Sequence, residues 1–498
     1  MELSVLYSRA LSGLDAPLVQ VETHLANGLP AFHIVGLPEM AVRESKDRVR
    51  SAIINSCFEF PDRRITVNLA PADLPKEGGR FDLAIALGIL TASGQLPTND
   101  LALHEFLAEL ALDGSLRAVR GSIASAIAAT GSGRRLVLAQ ESAGSAAQVP
   151  GSKIIPAADI LTLCAHLNGR ATLQSASPDD TLAAAEYPDM ADVVGQAAAR
   201  RAMEIAAAGG HNLLFCGPPG TGKTLLASRL PGILPPPRRR DVLYGLALQD
   251  IEGLPAGKPL RLQRPFRCPH HSATATSLTG GGGSPRPGEV SLAHGGVLFL
   301  DELPEFNRRC LESLREPMES GEITLTRTRH RVTYPARFQL VAAMNPCPCG
   351  FLGDPERSCR CRPEQVQRYR ARLSGPLLDR IDLHVTVPRL PPSQLLSRTT
   401  PAEASAPVQA RVTRCREIQQ ARQGCSNAGL ASASLHSVCQ LGEKETRHLS
   451  TATQRMHLSA RGLHRSLRVA RTIADLEQEN TVSAPHLAEA LAYRQQAE

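Results

Sequence analysis

A glycine-rich stretch carries the clearest chemistry in the sequence. It follows a short apolar run from Asn212 to Cys216 and reads Gly217, Pro218, Pro219, Gly220, Thr221, Gly222, Lys223, Thr224. A helix-forming run begins at Leu225, so the stretch joins a predicted strand to a predicted helix. Glycines let successive main-chain N–H groups point at phosphate oxygens, and the helix start adds partial positive charge. The spacing fits a phosphate loop, in which Lys223 contacts the β- and γ-phosphates of ATP and Thr224 holds Mg²⁺.

Two adjacent carboxylates follow a second apolar run. Asp301 and Glu302 come directly after the four apolar residues 297–300, which predict a buried strand. We expect Asp301 to hold Mg²⁺, directly or through water, and Glu302 to polarise the water that attacks the phosphate. Taken alone, this pattern also fits a helix N-cap. The phosphate loop upstream favours the catalytic interpretation.

Four cysteines lie within fifteen residues, spaced C-x-C-x₉-C-x-C: Cys347, Cys349, Cys359 and Cys361. Four thiolates in one short loop can close a tetrahedral zinc site and stiffen a segment that has little core of its own. C-x-C is less usual than C-x₂-C for zinc, so unligated thiols are the alternative. The remaining cysteines of the twelve are scattered and fit small core or surface positions.

Length and composition set the frame for these motifs. The chain has 498 residues, 42% of them hydrophobic, which predicts roughly three domains of about 150 residues each. No apolar run approaches the ~18 residues of a membrane span, and the N-terminus lacks the pattern of a secretion signal. We therefore expect a cytoplasmic protein, without disulfides. The net charge of +7 permits nucleic-acid binding without establishing it.

The region 1–172 alternates predicted strands with predicted helices, including a mostly buried helix from Phe81 to Leu96. Its segment 75–86 resembles the catalytic segment of the Lon protease domain. The matching residues, Gly79-Arg80-Phe81-Asp82, contain no serine, and no lysine lies between Lys76 and Lys153. Because a Ser–Lys dyad needs both groups, we expect a non-proteolytic Lon-like domain, with an unrelated α/β domain as the alternative. Residues 173–190 are polar and predict a linker.

Residues 191–390 resemble the core of AAA+ ATPases. Asn345 follows the apolar run 338–344 and resembles sensor 1, whose amide places water at the γ-phosphate; a turn-forming Asn before Pro346 is the alternative. The segment 374–383 resembles the LLDRFDL element of magnesium chelatase ATPase subunits and minichromosome maintenance helicases. That resemblance makes Arg380 a finger acting on the neighbouring subunit's nucleotide. The alternative is a surface ion pair with Asp379 or Asp382.

Two insertions enlarge this core. The first, 264–295, contains the glycine run 280–283, which we expect to form a flexible loop. The second, 322–334, predicts a β-hairpin with a basic tip of Arg327, Arg329, His330 and Arg331. They resemble the helix-2 insert and pre-sensor-1 hairpin of the same AAA+ clade, which in a ring would meet a nucleic-acid backbone. A solvated charged hairpin is the alternative. A second basic patch follows the cysteines: Arg357, Arg360, Arg362, Arg368, Arg370 and Arg372.

The region 391–498 opens with a second linker, rich in Pro, Ser, Thr and Ala, and then predicts helices to its end. We place them at 408–423 and 463–476, with a last helix opening near Ser483. An all-helical lid after the core completes an AAA+ module. The segment 459–467 resembles sensor 2, with Arg461 as the candidate γ-phosphate contact and Arg465 or Arg468 as alternatives.

Across nearly its whole length the chain resembles the ComM/YifB family. The implied α/β fold is a P-loop AAA+ core with a helical lid, preceded by a Lon-protease-like domain. The resemblance implies a homo-hexameric ATPase that drives branch migration of DNA during recombination and natural transformation. It implies ATP and Mg²⁺ as cofactors, single-stranded or branched DNA as partner, and recombination proteins as further candidate partners; Zn²⁺ stays a hypothesis that the cysteine spacing suggests. The residues by themselves support a Mg²⁺-ATP hydrolase with basic loops.

Two other functions stay open at this stage. One is a magnesium-chelatase-type remodelling ATPase that acts on a protein partner rather than DNA. A subunit of that type needs neither the Lon-like domain nor the cysteine loop. The other is a Lon-type protease, which the missing serine and lysine oppose.

Overall fold

The computed structural model describes residues 2–37, 39–178, 186–253, 263–282, 285–326, 331–391, 393–394 and 402–495. The chain divides into two compact units. The first comprises Met1–Ala184, Leu243–Leu262 and Thr326–Tyr334, and the second comprises Ala185–Val242, Gln263–Leu325 and Pro335–Glu498. Among the described residues, no helix has both the length and the apolarity needed to cross a membrane.

Three sheets form the framework of the first unit. A four-stranded sheet has the order β1-β2-β4-β3, a three-stranded parallel sheet has the order β5-β8-β9, and β6 pairs with β7. The strands are β1 Leu3–Arg9, β2 Leu18–Ala26, β3 Ala31–Val35, β4 Arg64–Ala70, β5 His104–Leu107, β6 Glu109–Leu110, β7 Leu116–Arg117, β8 Arg135–Ala139 and β9 Ile154–Ala157.

One buried helix organises the core of this unit. The helices are α1 Met40–Arg43, α2 Ser45–Asn55, α3 Asp82–Ala92, α4 Ser122–Gly131, α5 Gln140–Ala146 and α6 Ile160–Leu167. All eleven residues of α3 are buried, as its apolar sequence predicts. Arg80, just before α3, is buried as well, and its guanidinium donates to the main-chain oxygen of Arg120 at 2.9 Å. The segment that resembles the Lon catalytic region thus holds a structural arginine.

A five-stranded parallel sheet forms the centre of the second unit, in the order β11-β14-β17-β10-β18. Both β14 and β17 are buried along their whole length, as in sheets covered on both faces. The strands from here to the C-terminus are β10 Leu213–Cys216, β11 Phe266–Arg267, β12 Gly280–Gly281, β13 Arg286–Pro287, β14 Val297–Leu300, β15 Glu322–Thr326, β16 Arg331–Pro335, β17 Gln339–Met344 and β18 Leu383–Thr386.

The remaining helices lie between residues 197 and 495, and the part of them from 243 to 252 belongs to the first unit. The three predicted C-terminal helices are present. The first two begin three residues earlier than predicted, at Ser405 and Ala460, and the last begins at Ala484. The helices are α7 Ala197–Gly209, α8 Lys223–Ile233, α9 Arg239–Glu252, α10 Ala275–Thr279, α11 Glu289–Leu292, α12 Arg308–Ser313, α13 Arg315–Ser320, α14 Pro363–Arg370, α15 Gly375–Leu378, α16 Ser405–Gln423, α17 Leu435–Cys439, α18 Glu443–Arg455, α19 Ala460–Leu476 and α20 Ala484–Gln495.

The described part of the glycine run, Gly280 to Gly282, corrects one expectation, while Gly283 lies outside the described residues. We expected a flexible loop, but Gly280 and Gly281 form the short strand β12, which pairs antiparallel with β13. Gly280 has φ +92°, and a Cβ there would lie 2.4 Å from the main-chain oxygen of Arg286. Glycine is therefore needed at position 280 because the backbones of β12 and β13 approach closely there, not because the segment must be mobile.

Candidate nucleotide site

The glycine-rich stretch lies between a strand and a helix, as its sequence predicts. It leaves β10 at Cys216 and enters α8 at Lys223. Its first N–H, on Gly217, donates to the main-chain oxygen of Met344 at 3.2 Å, and Val387 N–H donates to that of Cys216 at 2.8 Å. The loop therefore starts between the carboxyl ends of β17 and β18, the edge of a parallel sheet where ligands bind.

Lys223 joins this loop to the end of β17. Its Nζ donates to the main-chain oxygens of Gly217 at 2.6 Å and Pro218 at 2.8 Å, and to Oδ1 of Asn345 at 3.1 Å. Burial lowers the pKa of Lys223, while the charges of Asp301 and Glu302 raise it. The structure thus brings three of the expected site residues together around one ammonium group.

Asp301 and Thr224 meet at the end of β14. The Thr224 hydroxyl donates to Oδ2 of Asp301 at 2.7 Å, and the other carboxylate oxygen accepts the main-chain N–H of Glu302 at 2.9 Å. A hydroxyl beside a carboxylate is an oxygen pair of the kind that Mg²⁺ accepts as ligands. The two residues expected to hold the metal are therefore adjacent.

Glu302 has an unusual backbone. It adopts φ 53° and ψ 46°, the left-handed region that a residue with a side chain seldom occupies. Its carboxylate makes no capping hydrogen bond to the short 3₁₀ turn Leu303–Glu305 that follows, so the N-cap alternative does not describe it. Instead Oε2 lies 3.2 Å from Nδ1 of His271.

Sequence reasoning missed His271. The residue lies four positions beyond the end of β11, in the segment Cys268-Pro-His-His271. Because β11 and β14 are parallel neighbours, residues following each of them meet at the same sheet edge. The pairing of β11 with β14 is the feature that brings His271 to the site. Because β11 has only two residues, sequence patterns do not reveal this strand.

One cavity unites the phosphate-loop residues. It measures about 380 Å³ and is lined by Pro219, Gly220, Thr221, Gly222, Lys223, Thr224, Leu225, Asp301, Glu302 and Asn345. A glycine-rich loop at a helix start, a lysine, a hydroxyl, two carboxylates and an amide fit a nucleotide triphosphate with its Mg²⁺. The residues present therefore match the ATP and Mg²⁺ expected from the sequence.

The two expected arginines do not line that cavity. The side chain of Arg380 is 7% exposed, donates to the Pro376 main-chain oxygen at 2.7 Å, and forms an ion pair with Glu319 of the same chain. This partner is neither Asp379 nor Asp382. Arg461 is exposed near the start of α19.

Of the alternatives for sensor 2, Arg465 donates to Asp382 at 2.7 Å, and Arg468 donates to the Leu430 main-chain oxygen at 3.0 Å.

The basic hairpin tip is described only in part. Strands β15 and β16 are present on either side of it. Arg331, the first residue of β16, is exposed. Arg327, Arg329 and His330 lie outside the described residues, so their expected contact with nucleic acid stays a prediction.

The four cysteines converge. Their sulfur atoms lie within 4.8 Å of one another, and the three separations among Cys347, Cys349 and Cys359 are 3.4, 3.6 and 3.6 Å. Tetrahedral zinc with Zn–S bonds of about 2.3 Å places its sulfurs about 3.8 Å apart. Main-chain N–H groups of Phe351 and Arg360 donate to Cys349 and lower its pKa to about 6. The arrangement fits a thiolate metal site.

Comparison with known proteins assigns the chain to a family. Residues 189–395 match the family model for magnesium chelatase subunit ChlI, residues 21–142 match the model named subunit ChlI of Mg-chelatase, and residues 402–494 match the ChlI C-terminal model.

Two relatives are about equally similar to the chain. The protein YifB of Escherichia coli K12 is 50% identical over 496 residues, which cover 99% of this chain and 97% of that one. The competence protein ComM of Haemophilus influenzae is 50% identical over 500 residues, covering 99% and 98%. A Mycobacterium tuberculosis relative is 41% identical over 513 residues, covering 99% of each chain. The chain therefore belongs to the ComM/YifB family of magnesium-chelatase-like AAA+ proteins.

Proposed function

We propose that this protein is an ATP-driven DNA motor that promotes branch migration during recombination and natural transformation. The observation that carries the proposal is the cavity in which Lys223, Thr224, Asp301, Glu302 and Asn345 converge. The competence protein ComM, 50% identical over the full chain, supports a role in handling incoming DNA.

The residues of the cavity divide the work of hydrolysis. Mg²⁺-bound ATP supplies the phosphoanhydride bond and a Lewis acid that withdraws charge from it. The phosphate-loop amides and Lys223 bind the phosphates, and Thr224 and Asp301 hold the metal. Glu302 orients and polarises the attacking water, and the Asn345 amide fixes the position of that water.

Two arginines complete the site in this proposal. Arg380 reaches the nucleotide of a neighbouring subunit in a hexameric ring, where it stabilises charge in the transition state. Arg461 reports on the γ-phosphate from the helical lid. Since Arg380 is paired with Glu319 in its own chain, action in trans requires that this ion pair opens.

DNA contact is assigned to the basic hairpin tip and the insertion before β14. Arg331 is exposed at the edge of that tip, and Arg327, Arg329 and His330 complete the basic set. Arginines on a channel loop bind the phosphate backbone without reading sequence. We place the Lon-like domain at 1–172, the linker at 173–190, the ATPase core at 191–390 and the linker with lid at 391–498, in a cytoplasmic protein.

The four-cysteine cluster is assigned to zinc. The sulfur separations of 3.4–3.6 Å are close to those of a tetrahedral thiolate site. Zinc takes such ligands without redox chemistry, so its part here is structural.

The first test is the ATPase rate without DNA and with single-stranded, duplex and branched DNA. We expect stimulation by DNA, strongest with branched substrates, and loss of all hydrolysis in Lys223→Ala. Branch migration is then followed as ATP-dependent conversion of a labelled three- or four-strand junction into its products. A wild-type rate that is indifferent to every DNA would reject DNA as the substrate.

If no DNA changes the ATPase rate, a second function becomes the better explanation. All three family models describe ChlI, a magnesium chelatase subunit, which supports a remodelling ATPase that acts on a protein partner. Stimulation of ATP hydrolysis by a partner protein rather than by DNA would support this alternative.

A further inference from the structure

The four-cysteine loop lies against the phosphate loop. Gly350, between the second and third cysteines, has φ +84°. A Cβ on this residue would lie 2.7 Å from Cδ and 3.3 Å from Cγ of Pro219, the third residue of the phosphate loop. Contacts this short leave no room for a methyl group, so the main chain of Gly350 lies close against the ring of Pro219.

The same loop begins at a residue of the nucleotide cavity. Asn345, two positions before Cys347, accepts a hydrogen bond from Lys223 at 3.1 Å. Its main-chain N–H is bonded to the hydroxyl of Tyr369, which is buried on α14, just beyond the last cysteine. Asn345, just before the cysteine loop, is therefore bonded both to Lys223 of the phosphate loop and to Tyr369 on the helix that follows the cysteines.

The outer part of the loop is tied to the next strand of the sheet. Asp354 accepts the main-chain N–H of Glu356 at 2.8 Å and a hydrogen bond from Arg389 Nε at 3.2 Å. Arg389 lies three residues beyond β18, next to the strand end that contacts the start of the phosphate loop. Both sides of the cysteine loop thus reach the edge of the sheet where the nucleotide cavity lies.

Apart from the sulfur cluster and the contacts of Asp354, the loop has little buried surface to maintain its shape. Cys347 is fully buried, but most of the residues from 352 to 362 are exposed. Main-chain N–H groups are directed at three of the sulfurs: those of Phe351 and Arg360 at Cys349, that of Cys361 at Cys359, and that of Cys349 at Cys361. Donors that converge on the sulfur atoms fix the positions of those atoms in the loop.

We propose that a zinc ion bound by Cys347, Cys349, Cys359 and Cys361 holds this loop against Pro219 and Asn345, so that nucleotide affinity depends on the metal. The proposal rests on the proposed ATP-binding function of the cavity. It adds a role for the cluster: the zinc loop supports Pro219 and Asn345, two residues that line the nucleotide cavity, and losing the ion loosens the phosphate loop.

The test uses two glycines of the same loop. Gly350→Ala introduces a methyl group against Pro219, whereas Gly353→Ala has φ +77° and no atom within 4 Å of the new Cβ. Both substitutions carry the strain of a left-handed alanine, so their difference isolates the contact. We expect Gly350→Ala in the full-length protein to weaken binding of a fluorescent ATP analogue about tenfold or more, and Gly353→Ala to stay within about twofold of wild type.

Metal content is measured on the same samples by elemental analysis. Both glycine variants should retain one zinc per chain, as should wild type. Equal nucleotide affinity in Gly350→Ala and Gly353→Ala would show that the contact with Pro219 does not affect nucleotide binding. Wild-type protein purified without zinc but with full nucleotide affinity would show that the affinity does not depend on the metal.

The second arm removes the ion. Wild-type protein is stripped with a chelator and a thiol-reactive mercurial, then reduced and desalted into excess Mg²⁺. Affinity should fall about tenfold and recover when Zn²⁺ is added. The double variant Cys359→Ser, Cys361→Ser should bind weakly with or without zinc, with its fold checked by circular dichroism.

These outcomes are separable from failure of the proposed function. A wild-type protein that binds no nucleotide rejects the ATPase assignment itself, whereas unaltered affinity in every variant rejects only the role of the loop.

Discussion

At the scale of single residues, Glu302 is the side chain on which hydrolysis should depend most. It lines the nucleotide cavity and has a left-handed backbone. Glu302→Gln keeps the shape and removes the charge that polarises water. We expect ATP affinity within about threefold of wild type and kcat reduced about 10²–10⁴-fold, measured by equilibrium binding and by phosphate release. Lys223→Ala, the control, should lose binding itself. A Gln variant with normal kcat would contradict the assignment.

His271 gives a second prediction at this scale, because its Nδ1 lies 3.2 Å from the Glu302 carboxylate. Asparagine can place an amide nitrogen near the position of Nδ1, whereas leucine offers no donor. We therefore expect His271→Asn to retain most of the activity and His271→Leu to lose about tenfold in kcat with little change in KM. The neighbouring ring of His270, 4.1 Å away and bonded to Ser272, provides the control His270→Ala. Equal rates in the Asn and Leu variants would mean that His271 does not position Glu302.

The site residues that sequence could identify belong to local patterns, as does Asn345 at the end of its apolar run. The phosphate loop and the Asp301–Glu302 pair are contiguous patterns, each following a strand that their apolar neighbours predict. His271 and Glu319 act through partners 31 and 61 residues away, at Glu302 and Arg380. Such pairings depend on which strands are neighbours in the folded sheet, and local patterns do not encode that order.

At the scale of elements, Asp382 links the parallel sheet to the C-terminal helices. It is buried just before β18 and accepts hydrogen bonds from the Asn212 main-chain N–H at 3.1 Å and from Arg465 of α19 at 2.7 Å. Burial alone would raise the pKa of Asp382, but His211 and Arg465 beside it outweigh burial and hold the pKa below its usual range. The ionised carboxylate therefore stabilises the folded chain.

The sign of the pH dependence follows from this depressed pKa. Its contribution to the free energy of unfolding is fully present above the unfolded pKa of about 3.9 and is lost as pH falls below that value. Asp382→Asn should cost about 3 kcal/mol at pH 7, since it leaves Arg465 without its charge partner. The deficit should shrink below about pH 4. Urea unfolding at several pH values measures it, with Asp379→Asn as the neighbouring control. A deficit that is constant down to pH 3 would show that the charge is not the cause.

Helices and strands could be predicted from sequence where their own spacing of apolar residues determines them. The buried helix α3 and the amphipathic helix α19 follow directly from apolar spacing. The segment 243–253 did not, because sequence order places it inside the ATPase core while the structure places it in the first unit. There Asp250 accepts hydrogen bonds from Ser122 and from the Ile123 main-chain N–H at the start of α4. A carboxylate at the start of a helix is stabilised by the N–H groups there, but only the folded chain reveals which helix Asp250 contacts.

At the scale of the whole molecule, the proposed ring makes each nucleotide site depend on two subunits. Within its own chain Arg380 is paired with Glu319 and does not line the cavity. An arginine that completes a neighbour's site can be supplied by a different subunit from the one that binds ATP. Two inactive variants with complementary defects should therefore restore each other when they assemble together.

Mixing Arg380→Ala with Lys223→Ala tests this directly. The first variant keeps an intact phosphate loop but lacks the arginine, and we expect its kcat to fall about 10³-fold. The second supplies Arg380 but binds no nucleotide. In mixed rings an Arg380→Ala subunit beside a Lys223→Ala subunit regains the arginine, so ATPase activity should exceed the sum of the two alone. The rate should peak at an intermediate ratio and vanish when subunits are prevented from exchanging. If the activity of the mixture equals the summed activities of the two variants at every ratio, Arg380 acts in cis or outside catalysis. That result would reject the assignment of Arg380 to a neighbouring subunit's site.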